Sequence, residues 1–360
     1  MTAETVPRVS VVINTYNHER FVAQALRSVI AQDFPSDATE IIVVDDGSSD
    51  ATPQVLGEFL PLIRYIRQQN GGQVSAFNTG VAAARGEILA FLDGDDWWEA
   101  TKLSKIVAAF DANPEVAAVG HAYYEVDENG TVTATVSPEG RRYLSLDGPS
   151  RARESAPFRV FLGTSRLAIR RSVLQCVLPV PSELPFFDNF TFTQAIAISG
   201  AEILPEPLCN YRIHSGSLYA GEAANQRRLW RRYNLLCGLL KYLPVRLARL
   251  GAQAETIAAF LESDFVDRDR LKLILEGGTP LETFRVERTA FHISCPSPTV
   301  SYKCFKSLTL SMALLMPPKI FYRFHGWYAK HNLRRVRELI GSGVASVPTV
   351  TRRDADAPRV

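Results

Sequence analysis

Ile41-Ile42-Val43-Val44-Asp45-Asp46-Gly47-Ser48-Ser49-Asp50 is a continuous apolar run that stops abruptly in turn formers and helix N-caps, ahead of an apolar stretch at 55–60. Upstream, Val9-Ser10-Val11-Val12-Ile13 reads as a buried strand. Phe21, Val22, Ala25, Leu26, Val29 and Ile30 then fall at helical spacing, which completes a βα unit. Downstream come a strand at 62–66, a turn at Asn70-Gly71-Gly72, a small-residue helix at 74–84 and a strand at 88–92. That last strand runs into Asp93-Gly94-Asp95-Asp96. Alternating strands and helices imply an α/β fold, a doubly wound and mostly parallel sheet with helices on both faces. In such sheets ligands sit beyond the carboxyl ends of the strands. Asn14-Thr15-Tyr16-Asn17, Asp45-Asp46 and Asp93-Gly94-Asp95 all fall at those ends, so one rim gathers three polar clusters.

Past residue 115 the pattern changes. Strands are expected at 116–124 and 131–136, joined by a hairpin turn at Asn129-Gly130, and at 167–170, 202–204 and 208–213, with a helix at 190–198. From about 221 the chain reads as helical and basic: Arg227, Arg228, Arg231, Arg232, Lys241, Arg246 and Arg249 interleave with Leu229, Trp230, Leu235, Leu236, Leu239, Leu240 and Leu243. The expected organisation is one domain over 1–220, a helical amphipathic extension over 221–340 and a disordered tail over 341–360. A hydrophobic content of 46% and a charged content of 22% fit a folded globular chain, and a net charge of +2 gives no argument for a nucleic-acid partner. The five cysteines (Cys176, Cys209, Cys237, Cys295, Cys304) show no zinc-like spacing, so reduced cytosolic thiols are expected. Residues 1–8 hold no apolar signal region, and no run reaches the roughly 18–20 apolar residues a bilayer span needs.

Asp93 and Asp95 stand two apart, so in extended chain both carboxylates point to one side, and Gly94 between them leaves room for close ligand approach. That arrangement suits Mn²⁺ or Mg²⁺ bridging a diphosphate, because these ions need only one or two carboxylates beside water and phosphate oxygens.

Val-Ser-Val-Val-Ile-Asn-Thr-Tyr-Asn (9–17), Val-Val-Asp-Asp-Gly-Ser-Ser-Asp (43–50), Asn70-Gly71-Gly72, Asn78-Thr79-Gly80, Ala84-Arg85-Gly86-Glu87 and Phe-Leu-Asp-Gly-Asp-Asp (91–96) occur in this order. Together they resemble the nucleotide-sugar half of the glycosyltransferase family two enzymes, which have the GT-A fold and invert configuration. A second block, 185–217, resembles the acceptor half. The resemblance implies a nucleotide-sugar half over 1–115 and an acceptor half over 116–220. It implies that Asn14, Thr15, Tyr16, Asp45 and Asp46 hold the nucleotide, with Asn78, Gly94 and Arg212 also at the donor. Asp93 would lie near ribose and metal, Asp95 would ligate the metal with His214 nearby, and Asp188 would be the general base. Two positions depart from the family pattern: Phe187 replaces an acidic neighbour of the base, and Phe77 stands where arginine is common.

The implied activity is transfer of a sugar from a nucleotide diphosphate donor, by default a UDP-sugar, to a hydroxyl of a saccharide or lipid-linked saccharide in polysaccharide or glycolipid assembly. A non-catalytic sugar-nucleotide binder and a nucleotidyltransferase are the rivals, although residues 14–18 do not form the Gly-rich triphosphate loop the latter needs. Asp45 and Asp46 are equally readable as helix caps or an Asx turn, and Asp188 as a helix N-terminal acid. His18 and His121 read as surface or packing residues, and Trp97 and Trp98 as core or as sugar-stacking rings. The basic stretch 226–250 and the apolar, aromatic and basic mix of 308–327 suit an anionic membrane surface, so a cytoplasmic enzyme peripheral to the inner face of a membrane is expected.

Overall fold

The computed structural model describes residues 6–217, 226–294, 300–325 and 349–352. The parallel half is as expected. Strands β1 (Val9–Thr15), β2 (Thr39–Asp45), β3 (Arg64–Arg67) and β4 (Ile88–Asp93) pair in the order β3-β2-β1-β4, all parallel. Helices α1 (Val22–Ile30), α2 (Thr52–Gly57) and α3 (Gln73–Ala83) make the crossovers. Every residue of β1 is buried, as its unbroken apolar run requires when helices cover both faces of the sheet.

Beyond β4 the sheet is mixed. After the two-residue β5 (Trp97–Trp98) and helix α4 (Lys102–Ala112) come β6 (Ala118–Val126), β7 (Val132–Ser137) and β8 (Arg142–Leu144), then helices α5 (Gly148–Ser155) and α6 (Phe158–Phe161). Strand β9 (Leu167–Arg170) runs antiparallel between β4 and β6, and β6 and β7 form the hairpin turned at Gly130, whose φ is +88°. Helices α7 (Arg171–Val177) and α8 (Asp188–Ser199) follow, and the two strands expected at 202–204 and 208–213 are one strand, β10 (Ala201–Arg212). Its register against β6 shifts twice around Pro207, because Pro205 and Pro207 have no N–H for the ladder.

The C-terminal helices share the core of the sheet domain. Helix α9 (Gln226–Arg249) buries Leu235, Leu239, Leu243 and Leu247, one stripe at helical spacing, and α10 (Ala254–Leu275) adds Ile257, Phe260 and Leu261 to the same continuous core. The Arg153–Glu262 ion pair at 3.0 Å and the buried Arg159–Asp264 pair tie α10 to α5 and α6. Helices α11 (Pro280–Ser294) and α12 (Val300–Leu315) follow. One expectation is corrected. Residues 349–352, assigned to a disordered tail, form β11 (Thr349–Arg352), antiparallel to β7, whose free edge offers unpaired N–H and C=O groups. The rest of that tail, 341–348 and 353–360, lies outside the described residues, as do 218–225, 295–299 and 326–340.

Helix α3 sits close to β1 and β2 because Gly80 faces them: a Cβ there would lie 2.4 Å from Val12 Cγ1 and 3.3 Å from Val44 Cγ2. Gly80→Ala should therefore lower stability by about 1–3 kcal/mol in urea unfolding. Gly57→Ala, whose Cβ would meet nothing within 4 Å, should not destabilise the chain.

Candidate active site

The carboxyl ends of β1, β2 and β4 are locked together by main-chain bonds. Thr15 pairs in register with Asp45, and Asn14 with Asp93. Asp46 N donates to Thr15 O and Gly94 N to Asn14 O, each at 2.9 Å. Asn17, in the left-handed region at φ 56°, joins the first two strand ends: its N donates to Ser48 Oγ and its Oδ1 accepts from Ser49 N at 2.8 Å. The loops thus meet the cleft as one rigid rim. The cleft has a volume of about 790 Å³ and is lined by Asn14, Thr15, Tyr16, Asp46, Asp93, Asp95 and Asp188 among others. Both side-chain polar atoms of buried Asn14 lack a protein partner among the described residues, so this amide is available to a ligand.

Three carboxylates crowd the end of β4. Burial, then the charges of Asp95 and Asp96, push Asp93 well above the usual carboxylate range, although Gln73 Nε2 donates to it at 3.1 Å. Burial and then Asp95 push Asp96 up to about 7; its Oδ1 accepts from Arg212 N at 2.9 Å. Burial alone would raise Asp95 as well. The hydrogen bond from His214 Nε2 at 3.1 Å and the charges of His18 and His214 hold it below the ordinary value. His18 is a residue the sequence reading placed at the surface or in packing. The structure puts its Nε2 3.9 Å from Asp95 Oδ2 and its ring in the cleft wall. No short-range spacing signals that approach, because the two residues meet only when β1 and β4 align.

The opposite wall comes from residues 163–166 and the start of α8. Ser165 Oγ accepts from Asp93 N at 3.0 Å, and Ser165 O accepts from Trp98 Nε1 at 3.1 Å and from the buried Lys102 Nζ at 2.8 Å. Lys102 lies 3.6 Å from the Trp98 ring centroid, and burial lowers its pKa to about 7. Arg166 lies over the Tyr123 ring at 4.0 Å and lines the cleft; nothing in the local sequence marks it as a site residue. Asp188 opens α8, where Asn189 N donates to its Oδ1 at 2.6 Å, yet burial still pushes its carboxyl above the ordinary range.

Five expected donor residues are engaged by protein groups, one of them at the cleft itself. Asp45 is fully buried: it accepts from Ser48 N and from Tyr65 Oη, each at 2.8 Å, and so acts as the turn cap its alternative reading described. Asp46 faces the cleft, but Gly71 N, Gly72 N and Gln68 Nε2 already donate to it. Asn78 pairs with the main chain of Val180 in both directions, at 3.1 and 3.2 Å. A Cβ on Gly94 would lie 2.7 Å from Thr15 Oγ1 and 2.9 Å from His18 Nδ1, so the space beside it holds protein. Arg212 is a strut: it lies 4.6 Å from both the Phe21 and Trp97 ring centroids and donates to Asp95 O, Glu128 O and Gln24 Oε1. Neither Trp97 nor the buried Trp98 lines the cleft.

The two departures from the family pattern meet. Phe77 and Phe187 stack with ring centroids 3.7 Å apart and planes 17° from parallel, and Phe91 packs on both. An apolar pair thus stands where the resemblance leads one to expect a basic and an acidic side chain.

The fold is GT-A. Residues 1–349 of S. aureus TarS, solved in complex with UDP, superpose with a TM-score of 0.57 at 18% identity over 88% of this chain and 92% of that one. The family model for glycosyl transferase family 2 matches residues 10–178. An uncharacterized glycosyltransferase of Nostoc sp. is 37% identical over 223 residues, covering 60% of this chain and 68% of the relative. An uncharacterized protein of Mycobacterium tuberculosis is 32% identical over 230 residues, covering 61% of this chain and 63% of its own length. The chain belongs to glycosyltransferase family 2.

The aromatic stack carries a stability prediction. Phe77→Arg alone buries an unpaired charge and should cost about 3–5 kcal/mol, and Phe77→Arg/Phe187→Glu should recover part of that loss. A double variant as unstable in urea as the sum of the singles would show that the two positions are not coupled.

Proposed function

We propose that the cleft binds a nucleoside diphosphate sugar and transfers the sugar, with inversion, to an acceptor hydroxyl whose proton passes to Asp188. The observation that carries this reading is the placement of one half-buried carboxylate, Asp188, in the same cleft as the acidic rim of Asp93 and Asp95. A base must be unprotonated when the acceptor attacks, and burial keeps this one basic enough to take the proton. Asn14, Thr15 and Tyr16 are placed to meet the nucleotide, and Asp46 positions the Asn70-Gly71-Gly72 turn beside it. Asp45, Asn78, Gly94 and Arg212 support the site from behind.

Among the described residues no three His, Cys, Asp or Glu side chains form a ready metal cage. The donor set nevertheless suits Mn²⁺ or Mg²⁺, because Asp93 and Asp95 are close enough for the charge of one to raise the other and these ions need only one or two carboxylates beside water and phosphate oxygens. Asp95 and Asp93, with His214 alongside, would hold the ion, which would neutralise charge developing on the leaving diphosphate. Arg166 adds a guanidinium to the same cleft. UDP is the first nucleotide to test, since TarS with this fold was solved with UDP.

Polysaccharide or glycolipid assembly at a membrane surface is the setting we favour. No helix among the described residues is long and apolar enough to cross a membrane. Leu308, Leu315, Ile320 and Phe324 are exposed beside Lys319 and Arg323, a composition that supports peripheral attachment of α12 and the following turn. Sedimentation with anionic vesicles should fall in Leu315→Ser/Ile320→Ser; unchanged sedimentation would remove the membrane from this reading.

Titration calorimetry should show UDP binding that Mn²⁺ strengthens in the wild type and not in Asp95→Ala. Failure of every nucleoside diphosphate to bind would overturn the donor site. Asp188→Asn should lower transfer by about 10²–10⁴-fold with UDP affinity intact. Because the Asp188 pKa is raised and its charged form acts, transfer should fall as pH drops through a value above the ordinary ~4. This acid limb should be absent from any residual activity of Asp188→Asn.

A further inference from the structure

The far wall of the cleft is built from α6, α9 and α10, and it holds charged groups that the chemistry at Asp93, Asp95 and Asp188 does not use. Arg159 and Asp264 are 3% and 5% exposed, form an ion pair with each other, and line the cleft. The pair is only half used. Arg159 Nε and Nη1 and Asp264 Oδ2 lack hydrogen-bond partners among the described residues, as does Asn189 Oδ1 next to Asp188. Buried charges left partly unpaired are costly, and a purely structural pair would be expected to saturate both partners. At the rim Asp267 pairs with Arg232 at 3.3 Å, so carboxylate and guanidinium alternate along the wall, while Leu235 and Leu236 add an apolar surface.

We propose that this wall is the acceptor subsite and that it recognises the vicinal hydroxyls of a neutral sugar ring; this rests on the transfer reading above. A guanidinium only donates and a carboxylate only accepts, whereas a hydroxyl does both. Two adjacent hydroxyls can therefore accept from Arg159 and donate to Asp264 Oδ2 together. A phosphate could meet Arg159, Arg231 and Arg232 but would be opposed by Asp264 and Asp267 and leave Asp264 Oδ2 unsatisfied, and an acyl chain would satisfy neither member of the pair. The apolar C–H face of a pyranose would rest on Leu235 and Leu236. Asn189, which follows the base in the chain, would then meet the same ring, so that the subsite and Asp188 hold one molecule.

The test uses the full chain with UDP and Mn²⁺ present, methyl pyranosides as probes and saturation-transfer NMR as readout. Methyl glycosides with an intact vicinal diol should bind the wild type, and monodeoxy counterparts lacking one hydroxyl of the pair should bind about tenfold more weakly. Asp264→Asn, nearly isosteric, should weaken the diol probes by about tenfold while leaving UDP affinity unchanged in calorimetry. The deoxy series decides the matter on the wild type if that variant fails to fold. No glycoside binding to the wild type, or binding indifferent to both deoxygenation and Asp264→Asn, would overturn the subsite and leave the ion pair a strut. Displacement of the glycosides by inorganic phosphate, lost in Arg159→Lys, would overturn the neutral-sugar assignment in favour of an anionic acceptor. Absence of UDP binding would count against the donor reading and not against the wall, since the glycoside arm is read separately.

Discussion

Like charge confined at low dielectric governs this structure. Asp93, Asp95 and Asp96 leave the end of β4 within a few residues, Asp96 buried and the other two half-buried, and neighbouring charge raises the cost of ionising Asp93 and Asp96. The surroundings answer each carboxylate differently. Asp95 receives the imidazoles of His18 and His214. Asp96 receives the main-chain N–H of Arg212 and the field of Arg166, and Asp93 receives one amide from Gln73. Asp93, the least compensated of the three, lines the cleft beside the other two.

Rigidity around that cluster comes from residues that never reach the ligand space. Arg212 clamps the β4 loop between two aromatic rings, Lys102 and Trp98 hold the carbonyl of Ser165, and Asp45 closes its own turn. The Phe77–Phe187 stack belongs with them, since it braces the residue before Asp188 against α3 and β4. An aromatic pair performs this bracing without placing further charge beside the Asp188 carboxylate. The helices after residue 225 are a wall of the cleft and part of the core, because the leucine stripe of α9 packs into the same continuous apolar cluster as the sheet.

The sequence by itself determined the parallel half of the sheet and the rim of polar clusters at its strand ends, with Asp93 and Asp95 on it, whereas Asp188 and His214 were reached only through the resemblance to glycosyltransferase family two. Period and turn chemistry are local, and a parallel sheet converts strand ends into neighbours without further information. Tertiary structure alone decided which polar side chains face ligand and which face protein. Asp45 and Asp46 are adjacent, yet only Asp46 lines the cleft, because alternation along an extended chain turns one inward and Tyr65 waits there. Arg212 and Arg166 both lie over aromatic rings, yet Arg212 is spent on Asp95 O, Glu128 O and Gln24 Oε1 while Arg166 lines the cleft. His18, Arg159 and Asp264 escaped the sequence reading for the same reason: each acquires its partner across a crossover or a domain-length loop, and no local spacing encodes a contact that only closing the core creates.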